Sequence, residues 1–207
     1  MQGNLVIISS PSGGGKGTLI QAVLGRVPDL GYSVSLTTRL PRTGEVDGEH
    51  YHFVSRDEFQ RQMNAGRFLE YAEVHGNFYG TSLEHVKEIT DTGKDVILEI
   101  DVQGAGWVLK RAPDTVSIFI MPPSFDVLRA RLTSRATEGI EDLKLRLRNS
   151  FFEVSQYTMF EYVVINDVAD SAANRLAAII QGERQKRARQ EGAIRGILDS
   201  FEESKTI

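Results

Sequence analysis

The 207-residue chain contains no cysteine, which excludes disulfides and thiolate metal sites and fits a reducing compartment. It also lacks an excess of charge of one sign. The formal net charge is -4, too acidic for the whole surface to grip nucleic acid, although a local basic cluster can still bind phosphates. Long apolar runs are missing as well. The opening run, residues 5–8, is far too short to span a bilayer, and Met1-Gln2-Gly3-Asn4 has neither the basic region nor the long apolar core of a secretion signal. A cytoplasmic protein bound neither to membrane nor to nucleic acid is the expectation. No internal repeat or low-complexity tract is present. What is there is an ordinary globular balance, 41% hydrophobic and 25% charged, enough to bury a substantial core in one compact unit with insertions.

Leu5-Val6-Ile7-Ile8 is apolar and β-branched and reads as a buried parallel strand. A glycine stretch over 12–15 follows, then helical spacing from Thr18 to Leu24, punctuated by Pro28 and Gly31. Residues 32–36 alternate and read as one strand. Residues 39–50 are polar, with Pro41, Gly44 and Gly48, and read as loop. A short strand is expected at 52–54 and a helix from the capping box at 55–58 to about 65. Short strands at 68–74 and 77–80 flank a turn at 75–77. A second capping-box pattern, Thr81-Ser82-Leu83-Glu84, opens a helix to about 92, with Gly93 as its stop. Buried strands follow at 96–100 and 116–121, two helical pieces between 125 and 157 broken near 136–139, and a last strand at 162–165. Asp170 is a candidate N-cap for a long helix running past Arg187, whose basic run 184–189 reads as a solvated face, and the end from Glu202 is expected to fray. Alternating strands and helices predict an α/β fold with a parallel core sheet. The short strands between 35 and 92 break that rhythm and predict an inserted subdomain.

Ser10-Pro11-Ser12-Gly13-Gly14-Gly15-Lys16-Gly17-Thr18 lies between a predicted strand and a predicted helix, the context a phosphate-binding loop requires. Glycines let backbone N–H groups turn towards phosphate oxygens, the helix N-terminus adds partial positive charge, and Lys16 reaches the outer phosphates. The segment departs from the common loop pattern in two ways. Position 10 is Ser rather than Gly, and Gly17 follows the lysine where a hydroxyl is usual, so the hydroxyl comes at Thr18. Mg2+, which keeps much of its water, is then expected to be held largely through water and substrate oxygens. Glu99 and Asp101 end a second buried strand, share one of its faces, and are candidates with Thr18 for the metal; by spacing alone Asp101 reads equally as a helix cap, and the neighbouring phosphate loop favours the functional reading.

Residues 37–53 are the most distinctive stretch. Arg39 and Arg42 flank Pro41 in a glycine-punctuated loop, and Tyr51 and Tyr79 add phenolic donors. Two guanidinium forks and two hydroxyls make a cage for a phosphate dianion. The pattern T-T-R-x-x-R-x-x-E-x-x-G-x-x-Y-x-F, with Glu45 as its acid, occurs with the SPSGGGKGT loop, F-L-E-Y-A (68–72), G-N-F-Y-G-T (76–81), L-E-I-D-V-Q-G (98–104), P-P-S (122–124) and V-I-N-D (164–167). In that order, over nearly the whole chain to about residue 190, it resembles the guanylate kinase family.

The resemblance implies a P-loop kinase fold. Its core would be 1–34, 93–124 and 158–207, with a GMP-binding subdomain at 35–92 and a helical lid at 125–157. It implies transfer of the ATP γ-phosphoryl to GMP with Mg2+. By motif position ATP would be held by residues 10–18, that is Ser10, Pro11, Ser12, Gly13, Gly14, Gly15, Lys16, Gly17 and Thr18, with Asn166 and Asp167 near the adenine. Arg39, Arg42, Glu45, Tyr51 and Tyr79 would form the GMP phosphate site. Ser35, Glu70, Thr81 and Asp101 would read guanine, and Lys16, Arg131, Arg135 and Arg146 would supply charge during transfer. Elementary chemistry agrees, because guanine's N1–H and exocyclic amine need acceptors, and ionised carboxylates accept only. The sequence leaves Asp101 assigned to both guanine and Mg2+, and Thr81 to both guanine and a helix cap. ATP and GMP are the expected partners; a homo-oligomer is compatible with the sequence, which does not fix it. A guanylate-kinase-like interaction domain and a nucleoside monophosphate kinase of other base specificity are the alternative readings.

Overall fold

The structure, a computed structural model, describes residues 3–74, 76–134 and 140–206. Five strands, β1 (Leu5–Ser9), β2 (Leu30–Ser33), β7 (Asp95–Glu99), β8 (Val116–Met121) and β9 (Tyr162–Ile165), form one sheet in the order β2-β7-β1-β8-β9. Every pairing in it is parallel. The strands are apolar on both faces because helices cover both. Val6 and Ile8 point to one side with Ile97, Ile118 and Ile120, against Leu19, Ile20 and Val23 of α1 (Lys16–Leu24) and Leu176 and Ile180 of α7 (Ala169–Arg184). Ile7, Val96, Leu98 and Phe119 point to the other, against Val102, Ala105 and Val108 of α4 (Val102–Arg111) and Val86 of α3 (Leu83–Asp91). Each such aliphatic side chain contributes about 1.5–3 kcal/mol on burial. Two-sided packing therefore makes this sheet the rigid frame, and its strand C-termini open on the crevice where ligands of such sheets bind.

A second, four-stranded sheet comes from the inserted segment: β3 (Leu36–Thr37), β4 (His52–Phe53), β5 (Phe68–Val74) and β6 (Asn77–Ser82), in the order β4-β3-β6-β5. Its small core is aromatic. Phe59 of α2 (Arg56–Asn64) stacks on Phe68 at 4.5 Å and on Phe78 at 5.4 Å between ring centroids. After β8 come α5 (Phe125–Ser134) and α6 (Ile140–Ser155); α8 (Arg187–Glu203) follows α7. No helix among the described residues is long and apolar enough to cross a membrane.

The structure revises six sequence expectations. The alternation over 32–36 is not one strand: β2 ends at Ser33 and β3 begins at Leu36 in the other sheet, so the chain changes sheet within a run whose polarity pattern is continuous. Ser82, not Thr81, caps α3, accepting from the His85 N–H at 3.3 Å, which frees Thr81 to face inward. Val168, not Asp170, occupies the N-cap of α7; the Asp170 carboxylate instead meets Arg26 at 2.5 Å. The long helix stops at Arg184 and restarts at Arg187. Arg184 is no solvated residue, because its Nε donates to buried Asp95 at 2.7 Å, and Asp95 also accepts from the Asn4 N–H. Finally, helical structure continues through Glu203 and a 3-10 turn to Thr206. The expected helix break at 136–139 lies outside the described residues.

Candidate functional site

The loop between β1 and α1 is shaped by its glycines. Gly13 and Gly15 have φ of 81° and 88°, left-handed values that side chains resist. A Cβ on Gly15 would sit 2.3 Å from Asn166 Nδ2, so no other residue fits there without moving the loop. Gly15 is also the N-cap of α1 and offers no side-chain cap, leaving the first-turn N–H groups of the helix to an anion.

Neighbouring elements pin this loop. Asn166 Nδ2 donates to the Gly14 carbonyl at 2.8 Å, and its buried Oδ1 has no partner. Arg131 of α5 donates to the Asn166 carbonyl at 3.0 Å and to the Gly14 carbonyl at 3.4 Å. Arg146 of α6 donates twice to Ser12 Oγ, at 2.8 and 3.0 Å. The Ser12 N–H donates to Glu153 Oε2 at 3.0 Å. Two cations from the 125–157 segment thus stand at the loop. Arg135 lies outside the described residues. Asp167 Oδ1 accepts from its neighbour's N–H on Val168 and from Arg175 at 2.6 Å; the first of these bonds, then the second, hold its carboxyl below the usual range.

Lys16 joins the loop to the next strand, donating to the Ile100 carbonyl at 3.2 Å and standing 3.9 Å from Glu99 Oε1. Tyr32 donates to the other Glu99 oxygen at 3.0 Å, and burial followed by that carboxylate raises the Tyr32 phenol well above its ordinary value. A Cβ on Gly17 would lie 3.9 Å from Glu99 Oε1, whereas Thr18 is exposed. Gly17, where a hydroxyl is usual, is therefore the position facing the carboxylate.

Beside Lys16 opens a cleft of about 160 Å³, walled by Ser35, Tyr51, Glu70, Tyr79, Glu99 and Asp101. Glu70 is only 5% exposed, and Thr81 Oγ1 donates to it at 2.6 Å. Burial is the main cause that lifts its carboxyl to about 7; the Thr81 hydrogen bond opposes this and the Asp101 charge adds to it. Asp101 caps α4, with one oxygen accepting from the Gly104 N–H at 2.7 Å and the other left over. Backbone and carboxylate crowd at Gly104, where a Cβ would fall 2.5 Å from Glu70 Oε2. Because Thr81 anchors Glu70, the carboxylate cannot swing clear. Gly104→Ala is expected to raise the KM for the ligand of this cleft at least tenfold while leaving the KM for the loop's ligand within about twofold; steady-state kinetics in both substrates checks this.

At the cleft mouth Arg39 forms a two-pronged pair with Glu45 (2.8 and 2.9 Å), and Glu45 also accepts from the Arg42 N–H at 2.7 Å. The Arg39 bond holds the Glu45 carboxyl below its ordinary value, and Glu45 in turn raises Arg39. The Arg39 guanidinium lies 5.3 Å from the ring centroid of Tyr51, which meets Tyr79 edge-on at 5.9 Å. Burial pushes the Tyr51 phenol up to about 12, so it stays a donor at neutral pH. Glu45 thus orients an arginine. Two participants escaped the sequence reading. Tyr32 sat in an alternating run that read only as strand, and Glu153 lies in a charged helix with nothing to distinguish it.

A parallel sheet whose first strand feeds a glycine loop, a lysine and a bare helix N-terminus, with arginines overhead and an acid-lined cleft alongside, defines a P-loop phosphotransferase. The family model described as Guanylate kinase matches residues 2–183. The chain belongs to the guanylate kinase family. It is 49% identical over 199 residues to a guanylate kinase of Neisseria gonorrhoeae, covering 96% of this chain and 97% of that one. It is 44% identical over 193 residues to one of Symbiobacterium thermophilum (93% and 92% coverage). The crystal structure of guanylate kinase from Anaplasma phagocytophilum aligns with a TM-score of 0.77 at 36% identity, over 91% of this chain and 89% of that one.

Proposed function

We propose that the protein transfers the γ-phosphoryl group of ATP to GMP, giving ADP and GDP. The observation that carries the base assignment is the buried Glu70, held by Thr81 beside Asp101 and Ser35 in a cleft one lysine away from the phosphate loop. Guanine presents two donors on one edge, and carboxylate oxygens accept them. Adenine presents a lone pair at N1, which the same oxygens repel, leaving buried acceptors unpaired.

In this reading the GMP phosphate lies between Arg39, Arg42, Tyr51 and Tyr79, with Glu45 keeping Arg39 aimed. ATP lies along residues 10–18, with Asn166 and Asp167 on its donor side and Asn166 acting through its hold on Gly14. Arg131, Arg135 and Arg146 balance the charge of the transferring group, and Lys16 spans the two sites. Residues 35–92 form the acceptor subdomain and 125–157 the lid. The rest of the chain, 1–34, 93–124 and 158–207, forms the core.

The oxygen donors Thr18, Glu99 and Asp101 suit Mg2+, a hard cation. Mg2+ keeps several waters and binds chiefly through nucleotide phosphates. When bound, Mg2+ would neutralise phosphate charge. Activity in the cytoplasm, without nucleic acid or membrane, completes the assignment.

The test is ADP release with ATP and Mg2+, offering GMP, AMP, CMP and UMP in parallel. Turnover with GMP at least about 10⁴-fold above AMP in kcat/KM is the expected result. Preference for AMP would overturn the acceptor assignment, and binding of GMP without turnover with any acceptor would overturn the catalytic one.

A further inference from the structure

Glu99 ends the strand beside the phosphate loop, and its two oxygens have different neighbours. Tyr32 donates to Oε2 at 3.0 Å. Oε1 faces the loop, 3.9 Å from Lys16 Nζ and 3.9 Å from where a Cβ on Gly17 would stand. A lysine and a carboxylate so placed attract each other without reaching hydrogen-bond distance. The Glu99 side chain is 27% exposed, and a cavity of about 720 Å³ lined by Gly17, Gln21, Tyr32 and His50 opens beside it, so the carboxylate has room to turn. In phosphate loops of the common pattern a hydroxyl follows the lysine, whereas Gly17 brings no donor to the side of Glu99 that it faces. Tyr32 brings one from the other side. It pairs with Ile97 in the parallel register of β2 and β7, and Glu99 lies two residues further on the same face of the sheet. The tyrosine ring packs against the cluster that holds Ile20 and Ile97, which fixes the direction of its hydroxyl. Burial, then the Glu99 carboxylate, raises the phenol well above its ordinary value, so it remains a donor.

We propose that Tyr32 is a positioning residue: by holding one oxygen of Glu99 it keeps the carboxylate from closing on Lys16 and leaves the lysine to the phosphates of the bound nucleotide, a role that rests on the reading of this loop as the ATP site. The lysine ammonium carries several donors. It spends one on the Ile100 carbonyl at 3.2 Å, and the others remain for acceptors that come near. A released Glu99 would need to advance by only about 1 Å to take one of them. The result would be a charge-assisted bond, stronger than one between neutral groups, which an incoming triphosphate would have to break before using Lys16. A hydroxyl at position 17 would meet the same carboxylate from the helix side. With glycine there, the restraint passes to a residue on a neighbouring strand, 15 positions along the chain from Gly17. A tyrosine that merely satisfied its own hydroxyl would contribute to stability and leave nucleotide affinities alone, and this difference makes the two roles separable.

Tyr32→Phe keeps the packed ring and removes the donor. Calorimetry on the full chain without Mg2+ is expected to show ATP binding weakened about tenfold and GMP binding within about threefold of the unmodified protein. Saturating ATP recovers the lysine, so in steady-state kinetics the KM for ATP should rise by about the same factor while the kcat changes less than about twofold. Glu99→Gln removes the charge that would close on Lys16. Adding Tyr32→Phe to Glu99→Gln should therefore change ATP affinity by less than about twofold. A weakening of ATP binding that is as large with Gln at 99 as with Glu overturns the proposal, because a loss of ring packing or loop shape would act equally in both. Unchanged ATP affinity in Tyr32→Phe overturns it too, as does a loss shared equally by ATP and GMP. The failures of the two readings are distinguishable: preference for an acceptor other than GMP overturns the assignment of the cleft alone, whereas an equal ATP loss in both backgrounds overturns only the role of Tyr32.

Discussion

Lys16→Met is expected to turn over about a thousandfold more slowly than the unmodified protein while binding GMP within about threefold of it. The lysine Nζ donates to the Ile100 carbonyl and stands 3.9 Å from Glu99, so it is held at the junction of loop and acceptor cleft. Methionine keeps most of the length and the apolar stem and removes the ammonium, and with it the charge and the donor to the Ile100 carbonyl. Charge that acts on the transferring phosphoryl counts most in the transition state, and the loss of one such group costs about 10²–10³ in rate or more; a factor of a thousand is about 4 kcal/mol. Glu99 still receives the Tyr32 hydroxyl, so the strand end should keep its form. Calorimetric GMP binding and single-turnover rates separate the effects. A slowing of less than tenfold in the chemical step would remove Lys16 from the transfer.

The second large effect belongs to Glu70. Its carboxyl is raised to about 7, mainly by burial, and only the ionised form can accept guanine's two donors. Roughly a tenth of it is ionised one unit below that value and nine-tenths one unit above. The kcat/KM for GMP is therefore expected to rise roughly tenfold between about pH 6 and pH 8. The GMP phosphate titrates near 6 as well, which is why Glu70→Gln is the necessary control. The amide sets a donor against guanine's donors, so kcat/KM should fall about 10²–10³-fold, and the part of the rise centred near 7 should vanish. Stability runs the other way. A folded value raised above the ordinary 4.5 means that stability present below about 4.5 is lost as pH climbs towards 7. The loss is at most about 3 kcal/mol. Glu70→Gln should escape it, so denaturant midpoints of the two proteins should move relative to each other across that window. A variant with the same midpoint difference at both ends would place the ionisation elsewhere.

The core sheet was legible because its physics is local. Leu5-Val6-Ile7-Ile8 and the runs at 96–100 and 116–121 are apolar throughout, as strands covered on both faces must be, and the glycine loop stood where a strand meets a helix. The residues around GMP were found by a different route, since Glu70 and Asp101 stand out only through family motifs. Burial, which gives Glu70 its raised value, comes from elements that fold against it, with Thr81 of β6 and Gly104 of α4 against its carboxylate. The misread places share one cause. Residues 32–36 alternate without interruption although Ser33 and Leu36 belong to different sheets, and Thr81 and Ser82 are both good caps, so only the position of Glu70 decides which one turns inward. Likewise nothing near Arg184 signals Asp95, which it meets 89 positions away.

Glu153 gives the phosphate loop a tenant of its own. Its carboxylate accepts the Ser12 N–H, and the tether of α6 keeps it at a high effective concentration. An incoming anion must therefore evict a competitor rather than fill a blank. A lone sulfate or orthophosphate, with few contacts to offer in exchange, fares poorly in that contest. A triphosphate, which brings a chain of oxygens along the whole loop and meets Arg131 and Arg146 as it arrives, wins it. In the proposed reading, discrimination against small anions would then rest partly on a helix residue that need not touch the substrate.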